Sequence, residues 1–321
     1  MINRQMERPS LQRATVAWLL VALLAFGSAA IRLQSLPYEN NDTILFFVPW
    51  YERIRDGGLA ALAEPFYSYP PPYLCLQWMI AKLNLFSPLT SIKVLSILFD
   101  LAGAAAAWLM VGRVFPGNRL RAAWAAVVVL CAPVVWIDGA YWGQSDMIYT
   151  TFMLFSVYLI LSDRPYWAAF AAGLAFAFKA PAAFIAPLFL LLLFEKRIPW
   201  RCVFIPPAVF ILAQGPALAA GRALGELLTV YFRQASVYPY LSMNAPNPYF
   251  FIVHWHHALV VAAGIVLAVV ALLALGVFFY QRRITSSPAG LLLACSLFLI
   301  AAPFLLPKMH ERFFFPAAVF M

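Results

Sequence analysis

From residue 258 to residue 280 the chain runs 23 residues without one charged side chain. A helix of roughly 20 apolar residues crosses the hydrocarbon core of a bilayer. No water reaches a backbone amide there, so each must be satisfied within its own segment, and helix does this. Apolar runs recur at about 14–31, 92–111, 122–137, 147–161, 166–194, 203–219 and 288–306, with charges only at Lys93, Asp100 and Lys179. Hydrophobic residues make up 64% of the 321 and charged residues 11%, against about 25% charged in soluble proteins. A water-soluble fold is excluded, as is a disordered chain. The apolar residues do not alternate strictly, which excludes a membrane β-barrel. The expected fold class is an all-α polytopic membrane protein of about 10 membrane helices, in a single domain over 1–321 with no internal repeat.

The basic residues set the expected topology. Net charge is +9, but these side chains mostly flank hydrophobic runs, so no nucleic-acid partner is expected. Arg4, Arg8 and Arg13 precede the run at 14–31. It reads as an uncleaved anchor with a cytoplasmic N-terminus, or as a signal peptide cleaved near Gly27-Ser28-Ala29-Ala30; both put the next segment outside. That outer segment, 32–91, holds Phe46, Phe47, Trp50, Tyr51 and Ile54 at helical spacing between acidic residues. The pattern predicts an amphipathic helix on the membrane surface. If the stretch 70–86 lies flat, the short basic loops at Arg113–Arg121, Arg164, Lys196–Arg201 and Arg282-Arg283 fall inside, as the positive-inside rule favours. Residues 166–194 carry a polar break at Lys179-Ala180-Pro181 and read as a helical hairpin. The chain ends about nine residues into a further apolar run, so more C-terminal spans are expected. The expected setting is a bacterial plasma membrane, with every unusual polar cluster on the outer face. The four cysteines are far apart and show no zinc spacing.

Each cluster supports more than one reading. Asp42, in Asn40-Asn41-Asp42, is placed either to act as a general base toward an acceptor hydroxyl or to cap a helix. In Asp138-Gly139-Ala140-Tyr141-Trp142-Gly143-Gln144-Ser145-Asp146, Trp142 suits a sugar face, and Gln144 and Asp146 suit sugar hydroxyls. The same residues also make an interfacial aromatic belt with a helix cap. Lys179 at membrane depth either meets an anionic ligand or snorkels to the interface. Asn244 and Asn247 sit in a turn, Asn244-Ala245-Pro246-Asn247-Pro248, and either bind ligand or only shape that turn. His254, His256 and His257 have metal-like spacing but no nearby carboxylate, so no metal is expected. In Pro307-Lys308-Met309-His310-Glu311-Arg312, Lys308 and Arg312 suit a phosphate. His310 adds a donor whose tautomer Glu311 can fix. The alternative is an ordinary charged loop.

Four motifs, in order along the chain, carry a family likeness. They are the acidic residue before Val48-Pro49-Trp50-Tyr51; Tyr69-Pro70-Pro71; Trp142-Gly143-Gln144-Ser145-Asp146; and Leu306-Pro307-Lys308-Met309-His310-Glu311-Arg312-Phe313-Phe314. With them the chain resembles the integral-membrane glycosyltransferases of the GT-C fold. It is most similar to bacterial relatives of the GPI-anchor mannosyltransferases and of the dolichyl-phosphate-glucose-dependent glucosyltransferases. The resemblance implies transfer of a hexose, with mannose the first guess, from a polyprenyl-phosphate sugar to a glycan or lipid acceptor on the outer side. It implies inversion and no cofactor or metal. Asp42 then maps to the base, and Lys308, His310 and Arg312 to the groups that hold the carrier phosphate. A transporter or flippase for a lipid-linked or anionic solute is the competing class. It expects charged sites near the membrane midplane on broken helices, and only Lys179 fits that.

Overall fold

A computed structural model describes residues 11–237, 239–252 and 257–321. Arg4 and Arg8 of the topology argument, and His254 and His256 of the metal pattern, lie outside the described residues. The chain folds into helices α1 (Leu11–Ser35), α2 (Val48–Gly57), α3 (Pro71–Leu83), α4 (Pro88–Val114), α5 (Arg119–Cys131), α6 (Pro133–Trp136), α7 (Asp146–Leu161) and α8 (Pro165–Phe178). Then come α9 (Ala186–Phe194), α10 (Ile205–Ala213), α11 (Gly215–Ala219), α12 (Leu224–Leu228), α13 (Val230–Val237), α14 (His257–Arg282), α15 (Pro288–Leu305) and α16 (Phe315–Phe320). Local chemistry marks many of the boundaries. Proline in the first turn, where its missing N–H costs nothing, opens α3, α4, α8 and α15. Ser87, Asn118 and Ser287 accept from backbone N–H groups of α4, α5 and α15.

Among the described residues, four helices are long and apolar enough to cross a membrane: Gln12–Ser35, Pro88–Val114, His257–Arg282 and Pro288–Leu305. A fifth forms if Arg119–Cys131 and Pro133–Tyr141, bent by 50°, count as one span. The further spans expected at 147–161, 166–194 and 203–219 are shorter apolar helices. Their sequences explain the shortening. Lys179 leaves α8 in extended backbone, and 3-10 turns occupy Ala180–Ile185 and Trp200–Phe204 before the α-helix resumes. Helix α3 has 13 residues, about 20 Å at 1.5 Å per residue. That is shorter than a full crossing of the hydrocarbon core needs.

The amphipathic segment differs from its expectation in what covers it. Residues Thr43–Phe47 form a π-helix that runs into α2. Phe47, Trp50, Tyr51 and Ile54 are buried against Tyr73, Leu74, Ile92 and Leu95 of α3 and α4. That apolar face therefore meets protein rather than lipid, and Ile44, Leu45 and Phe46 form the exposed apolar surface. Spacing identifies a buried stripe but does not say what buries it.

The bundle has two chemically different ends. The main core joins α4, α5, α7, α8, α9 and α15. At one end Arg113 donates to Leu161 O at the end of α7, and Arg197 donates to Thr285 O beside Arg282 and Arg283. The basic loops needed on one side of a membrane thus gather at one end. At the other end Lys93 Nζ donates to Ser35 O at 2.7 Å and Tyr38 O at 2.6 Å. It thereby satisfies carbonyls left open where α1 stops. Tyr38 stacks on Tyr141 with centroids 3.8 Å apart, which ties the segment after α1 to the turn after α6. Below this, Arg32 Nη2 lies 2.9 Å from Asp100 Oδ2, and both side chains are buried. Gly139 packs on that pair. A Cβ there would sit 3.2 Å from Asp100 Oδ1, so a glycine lets the loop approach this closely.

Candidate active site

Three segments far apart in sequence converge at the end opposite the basic loops. Asn40 makes the start of the first: its Oδ1 accepts from Thr43 N–H, and its Nδ2 donates to Trp142 O at 2.9 Å. Asn40 is therefore the helix cap, and Asp42 makes no capping hydrogen bond. Asp42 Oδ2 instead accepts from Gln144 Nε2 at 2.5 Å and lies 3.8 Å from Arg312 Nη1. Gly143 permits this approach. Its φ is +73°, and a Cβ would stand 3.0 Å from Thr43 Cγ2.

Gln144 is held at both ends. Its Oε1 accepts from the Tyr69 hydroxyl at 3.4 Å, its backbone N–H donates to Asp138 O, and its carbonyl accepts from Ser96 Oγ. Sequence alone suits it to sugar hydroxyls or to an interfacial loop. In the structure its amide donates to the Asp42 carboxylate.

The floor of the site is an ion pair. Lys179 Nζ lies 2.7 Å from Asp146 Oδ1, with side-chain exposures of 12% and 0%. Lys179 reaches this depth because α8 ends at it, and its ammonium also sits 5.3 Å from the Tyr69 ring and 5.9 Å from the Tyr149 ring. It does not snorkel. Asp146 is not a capping group either, since its carboxylate turns to Lys179. Asp138 is a further buried carboxylate, on the π-helical turn Ile137–Tyr141. Asp138 Oδ2, Asp146 Oδ2 and the Tyr149 hydroxyl are buried without a hydrogen-bond partner. Tyr69 entered only through the family likeness. Tyr149 was missed, because a tyrosine inside an apolar helix reads as core.

The rim is more open. Arg312 sits 5.8 Å from the Trp142 ring. Burial works against its charge, but Tyr69, Asp146, Asp138 and Asp42 outweigh that and hold the guanidinium more firmly protonated than usual. Asp42 and Arg312 keep side-chain exposures of 33% and 22%, so Asp42 is the accessible carboxylate above a buried floor. His310 and Glu311 pair with each other, Nδ1 to Oε2 at 2.6 Å. Burial opposes ionisation of Glu311, yet His310 and the backbone hold its carboxyl below the ordinary value.

Asn244, Asn247 and Lys308 belong to the support behind Arg312. Ser242–Met243 pairs in parallel with Met309–His310, and Asn244 bridges to His310. Asn247 Nδ2 donates to Leu306 O at 3.2 Å. Lys308 takes a left-handed backbone (φ +61°) and its Nζ donates to Ala235 O at 2.8 Å. Among the described residues no group of three His, Cys, Asp or Glu side chains is placed to hold a metal ion.

The described residues form a helical membrane protein with a polar, carboxylate-bearing site at one end. Residues 67–306 match the sequence model of glycosyltransferase family 87. That match makes the chain a membrane glycosyltransferase of the GT-C type, and it belongs to that family. The matched span includes Tyr69, Asp138, Gln144, Asp146 and Lys179; Asp42 and Arg312 lie on either side of it. No curated protein and no solved structure matches the chain.

Proposed function

We propose that the protein moves a hexose, with mannose the first to test, from a polyprenyl-phosphate donor to a glycan or lipid hydroxyl on the outer side of a bacterial plasma membrane. Asp42 takes the proton of the acceptor hydroxyl as that oxygen bonds to C1. The C1–phosphate bond breaks on the opposite face, its electron pair leaves with the polyprenyl phosphate, and the anomeric configuration inverts. Arg312 meets the charge on the departing phosphate; electrostatic stabilisation of this kind is commonly worth about 3–4 kcal/mol per donor. The observation that carries the reading is the convergence of Gln144 and Arg312 on one carboxylate oxygen of Asp42. The gathering of the basic loops at the far end supports the orientation.

The test is release of free polyprenyl phosphate from a panel of polyprenyl-phosphate sugars by purified protein in lipid, with a membrane extract as acceptor source and with chelator. Release from one sugar, unaffected by chelator, is expected. Silence with every donor from folded protein overturns the reading.

Gln144→Leu should separate positioning from binding. Loss of a hydrogen bond to a charged group is worth about 1.5–3 kcal/mol, so kcat should fall roughly tenfold or more while donor KM stays near wild type. A rise in donor KM with kcat unchanged would return Gln144 to sugar binding.

A further inference from the structure

Helix α7 starts in the active site at Asp146 and has 16 residues, so it ends about 24 Å away. There its C-terminal turn meets the turn after α9 and encloses a cavity of about 530 Å³. Asp163, Lys196 and Arg197 line it together with Ile160, Leu193 and Trp200. Cations at helix C-termini are ordinary. Here, however, two of them line a cavity with apolar walls. The Lys196 backbone is left-handed (φ +58°), and its N–H closes onto Leu193 O at 3.0 Å, ending α9. Its ammonium makes no hydrogen bond or ion pair with the described residues. Arg197 donates to Thr285 O and lies 3.9 Å from Glu195 Oε2, so part of its fork remains free. Trp200 is 63% exposed, as suits a ring at headgroup level.

We propose that this cavity holds the headgroup of a hydroxyl-bearing anionic phospholipid from the leaflet opposite the active site. The phosphate rests on Lys196 and Arg197, a headgroup hydroxyl donates to Asp163, and the start of the acyl region lies along Leu193 and Trp200. Basic pockets between membrane helices are suited to such headgroups. The site is independent of the sugar-transfer reading.

The test is native mass spectrometry of delipidated protein in detergent, titrated with phosphatidylglycerol or phosphatidylcholine. One phosphatidylglycerol should bind roughly tenfold more tightly than phosphatidylcholine. Lys196→Glu should abolish the preference. Arg282→Glu, at the same end but outside the cavity, should keep it. Leu193→Trp fills the cavity without changing charge and should also lose it, which covers a Lys196 variant that fails to fold. Equal loss in the Arg282 variant would show diffuse surface charge and overturn the proposal. A preference that survives both cavity variants would overturn it too, as would displacement of the lipid by millimolar inorganic phosphate.

Discussion

Asp42→Asn should lower turnover by about 10²–10⁴-fold, the usual contribution of a positioned general base, and leave donor binding nearly unchanged. The substitution keeps the size and shape of the side chain. An asparagine carbonyl still accepts from the Gln144 amide that now lies 2.5 Å from Asp42 Oδ2, so the loop 142–146 has no reason to move. What disappears is an oxygen able to take a proton. On the proposed reading donor binding rests on other groups, chiefly Arg312, which loses only a counter-charge 3.8 Å away. The measurement is a pair of assays on one preparation: steady-state turnover and equilibrium donor binding. Full turnover in the variant would remove Asp42 from its role. Loss of donor affinity in proportion to turnover would make it a binding group instead.

The second large effect is on the folded state. Removing one partner of a buried ion pair typically costs about 3–5 kcal/mol, because the other charge is left uncompensated. In the Lys179–Asp146 pair the carboxylate is fully buried and the ammonium only 12% exposed, and the pair closes the floor of the site. Asp146→Leu and Lys179→Met, made singly, should each lower the melting temperature sharply and abolish activity. Made together they should recover much of the stability, since replacing a whole buried pair by apolar groups is often neutral. Activity should not return, because Asp146 Oδ2, buried and unpartnered, is lost in the double variant. A double variant as unstable as the singles would mean that the pair is not a closed unit. Recovery of activity would mean that the floor serves only packing.

Much of this was legible from side-chain type and spacing. The all-helical membrane class follows from charge-free runs, and the hairpin break at Lys179 from a lysine and a proline inside one of them. The end-to-end separation of basic loops and polar clusters follows from their order along the chain. Asp42, Asp146, Lys179 and Arg312 were all singled out, because charge beside long apolar flanks is costly without a reason. The partners were not legible. Nothing in spacing says that Asn40 rather than Asp42 caps the first turn, or that Gln144 faces Asp42. Nor does it say that Asn247 donates to Leu306 O. The last two are contacts between segments 102 and 59 residues apart, and pairing at that range depends on how helices pack. Asp138 was seen as the edge of a motif, and only its burial beside the loop makes it part of the floor. The surface helix was misassigned for the same reason: a stripe was visible, its covering was not.

The contact between Asp42 and Arg312 bears on what the enzyme does while idle. On the proposed reading, the base rests 3.8 Å from the guanidinium that meets the leaving phosphate. The donor phosphate brings a second anion to Arg312 and so loosens its hold on the carboxylate. Base activation then waits on the arrival of the sugar carrier, and the contact works as a latch. Such a latch favours an ordered cycle, donor first and acceptor second. With the carrier absent, the site has little tendency to work on any other hydroxyl that drifts in from the aqueous side.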